Sequence, residues 1–288
     1  MAEIPASLVV KLRKMSGQGM MDCKKALEEA NANIDEAMAI LRKKGLATLA
    51  KRAERETTQG LVVGKTSADG KTATLASLCC ETDFVANSDD FKSAAEKVAE
   101  YAIICSKDDG IENLLETAVG GKKLRDVITE VVSKTGEKTE VGDYAKFHLN
   151  GPGLISTYIH FNRKVGTMLQ IDASDDNTAD SEQLKRTGAD LAMHITATKP
   201  LALDKSGIAP KVIEQEKSIY AEQVKSKPAN IVDKIIEGKM KKFYEENCLL
   251  EQKFVKDDTK TVAQVLEESA KQAGGSAAIK RFVRFDVG

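Results

Sequence analysis

The chain has no tryptophan, and only 5% of its 288 residues are aromatic, so it offers no stacking platform for single-stranded nucleic acid. Positive charge is not in excess either. Lys and Arg number 43 against 44 Asp and Glu, a net charge of -1, which removes the electrostatic case for nucleic acid as the main partner. Local basic clusters at Arg42-Lys43-Lys44 and Lys51-Arg52 read as helix ends or solvated faces. The five cysteines (Cys23, Cys79, Cys80, Cys105, Cys248) are odd in number and lack C-x-x-C spacing. They are expected as reduced thiols in a cytoplasmic compartment, neither ligands nor nucleophiles. His148, His160 and His194 are the only histidines and form no H-E-x-x-H or other metal spacing, so no metal or other cofactor is expected. No run approaches ~18 consecutive apolar residues, and Met1-Ala2-Glu3-Ile4-Pro5 lacks a charged leader region, so neither membrane insertion nor export is expected.

What is present is ample core material, 42% hydrophobic, in a chain long enough for two domains. Residues 1–45 read as three short helices. Pro5 suits a first helical turn, and Ile4, Leu8, Leu12 and Met15 recur at helical spacing until Ser16-Gly17-Gln18-Gly19. A second helix carries Met20, Cys23, Leu27 and Ala30. Asn33 caps a third, with Ile34, Ala37, Met38 and Leu41 on one face and Gly45 ending it. Met20 and Met21 lie at a turn, where methionine serves either an adaptable contact surface or core filling. Residues 46–58 read as a charged, solvated linker.

Gly60-Leu61-Val62-Val63-Gly64-Lys65-Thr66 imitates a phosphate loop, but three residues separate the glycines where the motif needs four. Its apolar centre predicts a strand, and Asp69-Gly70 predicts a hairpin into the next one. A nucleotide handled by this chain is therefore expected to be held by something else.

The centre reads as an α+β unit built twice, residues 59–140 and 141–288, each a strand pair followed by a covering helix, with the halves side by side. The first copy has strands from Leu61 to Lys65 and Thr72 to Cys80, then helices from Asp89 to Ile104 and from Leu124 to near Gly136. The second has strands at Tyr144 to Leu149, Ile155 to Phe161 and Val165 to Ile171, then a helix from Ser181 to Thr196. Alternation places Ile155, Thr157, Ile159 and Phe161 on one face and Tyr158 and His160 on a more exposed one. His194 reads as packing. Phe91-Lys92 with Val98-Ala99 matches Leu184-Lys185 with Leu191-Ala192 at equal separation. Two helices interrupted at Lys227-Pro228, over about 209–247, predict an antiparallel coiled-coil arm.

One stretch stands out. Between the strand ending at Cys80 and the helix from Asp89, where polar breakers are expected, lie Thr82-Asp83-Phe84-Val85-Ala86. Asn87 or Ser88 can cap the helix, so these residues are not needed for that. Phe84 either tucks under the helix as core or projects as a wedge beside the Asp83 carboxylate.

The string Thr82-Asp83-Phe84-Val85-Ala86 resembles the signature of the elongation factor Ts family, exchange factors for the GTPase elongation factor Tu. So do Met20-Met21-Asp22-Cys23-Lys24-Lys25-Ala26-Leu27, Ala192-Met193-His194, Glu237-Gly238-Lys239-Met240-Lys241-Lys242-Phe243, and Gln252-Lys253-Phe254-Val255-Lys256. In the last, Lys253 stands where the family usually has proline. The resemblance implies a ubiquitin-associated-like N-terminal module and a non-enzymatic exchange factor. It also implies partner contacts at Thr82, Asp83, Phe84, Val85, Met20, Met21, Lys24, Gly136, His160 and Val255. Some relatives carry a further C-terminal helical module, and with the chain stopping at Gly288 the expected complex lacks that contact. A general interaction scaffold would use the same helical module and arm without needing Asp83 and Phe84, and the sequence leaves a homo-oligomer open. Titration of GTP or ATP into the isolated protein is expected to give no saturable binding, and saturation would restore the phosphate-loop reading.

Overall fold

The computed structural model describes residues 4–225 and 227–288; the first three residues of the 1–45 module lie outside that range. Helices α1 (Ala6–Ser16), α2 (Met20–Glu29) and α3 (Ile34–Lys51) share a small core around Leu12, Cys23, Leu27 and Leu41. Asn33 caps α3 as expected, its side chain accepting the N–H groups of Asp35 and Glu36. Gly45 does not end the helix. It lies in the α3 interior, where an added Cβ would come within 2.8 Å of the Thr129 carbonyl. The glycine permits a close helix crossing, so the first residues of the expected linker are helical.

Strands β1 (Gln59–Thr66) and β2 (Thr72–Cys80) form the hairpin turning at Asp69-Gly70. Gly60 to Thr66 is thus strand, not loop. There follow α4 (Asp83–Ala86), α5 (Asp89–Ile104), α6 (Ile111–Glu116), the two-residue strands β3 (Ala118–Val119) and β4 (Lys122–Lys123), α7 (Leu124–Thr135) and β5 (Thr139–His148). The strand expected to open the second half at Tyr144 begins earlier and pairs antiparallel with β2, giving the sheet order β1-β2-β5. Its partner is over fifty residues back in the chain, which local alternation does not encode.

The second half repeats the order: β6 (Gly153–Ile159), β7 (Val165–Ala173), α8 (Asp176–Asp180), α9 (Glu182–Thr198), then β8 (Lys253–Phe254), β9 (Asp257–Thr261), α12 (Val262–Gln272) and β10 (Ala277–Asp286), with sheet order β10-β7-β6. Helices α10 (Pro210–Gln223) and α11 (Ala229–Asn247) are inserted after α9 and pack through Ile213, Tyr220, Met240 and Phe243. At their root the Leu201 N–H donates to the Asn247 carbonyl and the Leu249 N–H to the Ala202 carbonyl, both 2.9 Å.

The halves do not lie side by side. They stack sheet on sheet, giving four layers of helix, sheet, sheet and helix. Along β1, Leu61 and Val63 join Phe91 and Val98 beneath α5, while Val62 points the other way to meet Leu75 and Met168 between the sheets. Leu169, Ile171, Leu184 and Leu191 form the third apolar layer under α9. The sheets approach so closely that a Cβ at Gly166 would stand 2.7 Å from Val62 Cγ1.

The alternation of β6 holds, but burial on both faces removes the greater exposure expected of the Tyr158 side. Tyr158 leans on the α9 layer, and Ile155 and Ile159 enter the layer between the sheets. Phe161 lies past the strand in the turn, 88% exposed. The α3–α7 contact yields a test. Gly45→Ala gains about 1 kcal/mol of helix propensity, but overpacking against Thr129 costs about 1–3 kcal/mol. Urea unfolding is expected to show net destabilisation, and a variant as stable as wild type would mean that the contact relaxes freely.

Candidate partner-binding site

The end of β2 leads into α4, a single helical turn whose polar groups are unusually well engaged. Thr82 caps it, its hydroxyl accepting the Val85 N–H at 3.4 Å. The same hydroxyl donates to Glu137 Oε1 (2.8 Å), and the Thr82 N–H donates to Glu137 Oε2 (3.1 Å). At the other end, Asn87 Nδ2 donates to the Asp83 carbonyl (2.9 Å) and the Ser88 hydroxyl to the Val85 carbonyl (2.7 Å). Ser88, not Asn87, caps α5. Ala86 is buried and Val85 packs against the first core. Asp83 and Phe84 are therefore turned outward, and Phe84 is 83% exposed. The core reading of Phe84 fails here. Covering that ring is worth about 1.5–3 kcal/mol.

Four further expected residues lie around the same end. Gly136 closes α7 with φ +73 and ψ 6, and a Cβ there would meet nothing. Conformation rather than space selects glycine. It hands the chain to Glu137, the carboxylate on Thr82. Lys134, in the last turn of α7, reaches Asp90 at the start of α5 (2.7 Å) and crosses Gly17, where a Cβ would meet its Cε at 2.4 Å. Beside it Gln18 is buried, its amide set to donate to the Ser133 carbonyl (2.8 Å). This loop delivers Met20 and Met21, both exposed on the first turn of α2; the core-filling alternative does not apply to them. Lys24, one turn on, pairs with Glu28 at 3.9 Å.

His160 and Val255 belong to the second half. The His160 N–H donates to the Val165 carbonyl (2.9 Å), and its Nδ1 lies 3.2 Å from the Tyr158 hydroxyl. Its ring sits 4.4 Å from that of Phe161. Arg163 and Lys164, in the same turn, reach Glu96 of α5 (2.7 Å) and Gln59 of β1 (2.8 Å), so the turn is fastened to the first half. Val255 is half exposed, and its N–H donates to Nδ1 of His194 (3.3 Å). Nε2 of that buried ring donates to Gln252 Oε1 (2.9 Å), which fixes the tautomer. Burial draws the His194 pKa below the ordinary value, outweighing Gln252. His194 thus packs, and it also holds the segment carrying Val255.

Sequence reasoning missed the carboxylates that secure the site. Glu81 accepts the Lys138 N–H (2.6 Å) and two hydrogen bonds from Arg52 Nη1 (2.9 and 2.7 Å). The available signal was positional: one Glu directly precedes Thr82, and another directly follows the glycine that ends a helix. Among the described residues no three His, Cys, Asp or Glu side chains gather into a metal-holding group, and no helix is long and apolar enough to cross a membrane. All five cysteines are buried, and burial, with Glu137 nearby, pushes the Cys80 thiol up to about 12. What the geometry offers is a contact surface.

The comparisons identify the family. The profile of the family described as Elongation factor TS matches residues 81–288. An elongation factor Ts of Nitratiruptor sp. is 45% identical over 287 residues, 99% of this chain and 93% of that protein. Those of Desulfovibrio desulfuricans (38%; 100% and 99% of the two chains) and Clostridium acetobutylicum (39%; 99% and 92%) align as fully. The chain with this signature turn is thus placed among the translation elongation factors. It belongs to the elongation factor Ts family.

Acidification offers a test of the Glu81 contacts. Burial raises its pKa, but the Lys138 N–H and Arg52 outweigh that and hold it below the ordinary 4.5. A lowered pKa lends stability that is complete above about 4.5 and fades as pH falls through the folded value. Glu81→Gln is expected to lower the urea midpoint at pH 7 and to differ less from wild type at pH 3.5. An equal difference at both pH values would refute the charge contribution.

Proposed function

We propose that this chain is a guanine-nucleotide exchange factor for elongation factor Tu: it engages the GDP-bound GTPase and speeds GDP release without making or breaking a covalent bond. One observation carries the reading. In a member of this family, the signature turn holds Phe84 out in solvent on a helix anchored at both ends, when an apolar ring would otherwise be buried. The ring enters apolar packing beside the partner's magnesium and phosphate site, while the Asp83 carboxylate engages polar groups displaced there. Thr82 and Val85 hold the turn. Met20, Met21 and Lys24 dock on the partner's nucleotide-binding domain, and Gly136, His160 and Val255 extend the contact. The chain needs no cofactor of its own, and its place of action is the cytoplasm, where its partner works.

Energetically this is a coupling between two ligands of the GTPase. Whatever factor the exchange factor takes from GDP affinity, GDP takes from exchange-factor affinity. GTP entry then displaces the factor by the same linkage. The test is release of labelled GDP from a bacterial elongation factor Tu. Wild type is expected to accelerate it, and Phe84→Ala to lose roughly 10- to 150-fold of that acceleration, matching an uncovered ring of about 1.5–3 kcal/mol, while still binding. No acceleration by wild type would favour the scaffold reading. Equal acceleration by wild type and variant would keep the factor but discard the wedge.

A further inference from the structure

We propose that Glu137 is the positioning residue of the Phe84 turn, and that Arg52 and Glu81 make the presentation of that turn depend on the N-terminal helices. The inference rests on the wedge reading above and deepens it.

The β2–β5 ladder ends at the pair Cys80 and Thr139. Beyond it the two chains stay joined by carboxylates that cross: Glu137 accepts both donors of Thr82, and Glu81 accepts the N–H of Lys138. The crossing matters because α4 is only four residues long. One turn of helix does not repay its own nucleation, so its direction is imposed by what grips its ends. The Thr82 hydroxyl has a single proton. Committing it to Glu137 turns a lone pair toward the Val85 N–H and sets where the residue before it, Phe84, points.

The second half of the molecule supplies an internal comparison. Asp175 precedes Ser181 by six positions, as Thr82 precedes Ser88, and each pair caps a short helix and then a long one. Asp175 caps α8 with its own carboxylate, accepting the Thr178 N–H (2.8 Å) and hydroxyl (2.9 Å). A self-contained cap therefore suffices to form such a turn. In that copy Asn177 occupies the place of Phe84. The copy with the exposed ring instead uses a threonine whose hydroxyl is directed from another part of the chain. That carboxylate stands just past α7, the helix on which α3 packs through Gly45. Arg52, at the C-terminal end of α3, holds Glu81. Both grips on the turn thus lead back to the α3–α7 contact.

The experiment measures labelled-GDP release from GDP-loaded elongation factor Tu across a range of concentrations of the full chain. Glu137→Ala is expected to lower the saturating release rate about tenfold, the order of a lost charge-assisted pair of hydrogen bonds. The half-saturating concentration should change less than about twofold, since the broad docking surface is intact. In a Phe84→Ala background, Glu137→Ala is expected to cause no further loss, because its effect runs through that ring. Thr82→Val, which removes the hydroxyl alone, should reproduce the fall in saturating rate if Glu137→Ala folds poorly. A loss of the same size with and without Phe84 would overturn the positioning role. An unchanged saturating rate in both Glu137→Ala and Thr82→Val would overturn it too. Full activity of Phe84→Ala alone would sink the wedge and this inference together, whereas inactivity of wild type would locate the failure in the exchange reading itself.

Discussion

Burying both sheets against each other is the constraint on which the rest of this structure depends. Every residue of β2 from Ala73 to Cys80 is buried, since one face meets α5 and the other meets the second sheet. Strands covered on both sides have no surface left for a partner. What remains available are the places where strands and helices end, and the candidate residues lie there: Thr82 to Val85 after β2, Gly136 after α7, His160 after β6, and Val255 after β8. The stacked layers supply rigidity, and the exposed turns at their rims supply chemistry. A ring held out in solvent is useful only if its position is fixed beforehand, because ordering it on binding would cost conformational entropy.

The same constraint explains which features were legible in the sequence. Helix α5 was readable to the residue because Phe91, Ala94, Ala95 and Val98 form a stripe with one buried side. The hairpin at Asp69-Gly70 and the Asn33 cap were readable because their physics is local. Alternation in β6 was present but misleading, since with both faces covered it no longer distinguishes inside from outside. Gly45 resembled a helix terminator, yet its reason lies on another helix, at Thr129. The sheet membership of β5 and the pairing of Glu137 with Thr82 join residues 55 or more positions apart. Position marks Glu81 and Glu137 as notable, but nothing near either says which distant group it meets. The turn itself was legible as an anomaly, an aromatic where a breaker belonged, and its exposure rules out the core reading.

The two halves repeat one order of elements and differ at their rims. Each half runs through a hairpin, a short helix, a long helix, a two-stranded ribbon, another helix and a closing strand. The halves agree in Phe91 and Leu184, and in Val98 and Leu191, all fully buried, because both cores need the same filling. They part company at the rim, where Phe84 stands in one copy and Asn177 in the other. Shared architecture and unshared function are therefore separated in space.

The root of the inserted helical pair has a consequence of a different sort. Leu201 bonds to Asn247 and Leu249 to Ala202 across the base, so the chain leaves the second half and returns at one point. The core meets the entropy of closing that excursion at its foot, and a doubling of its length adds only about 0.6 kcal/mol. The arm behaves as a branch grafted on a closed joint: it can lengthen, shorten or carry a fused tag while the joint beneath keeps its geometry.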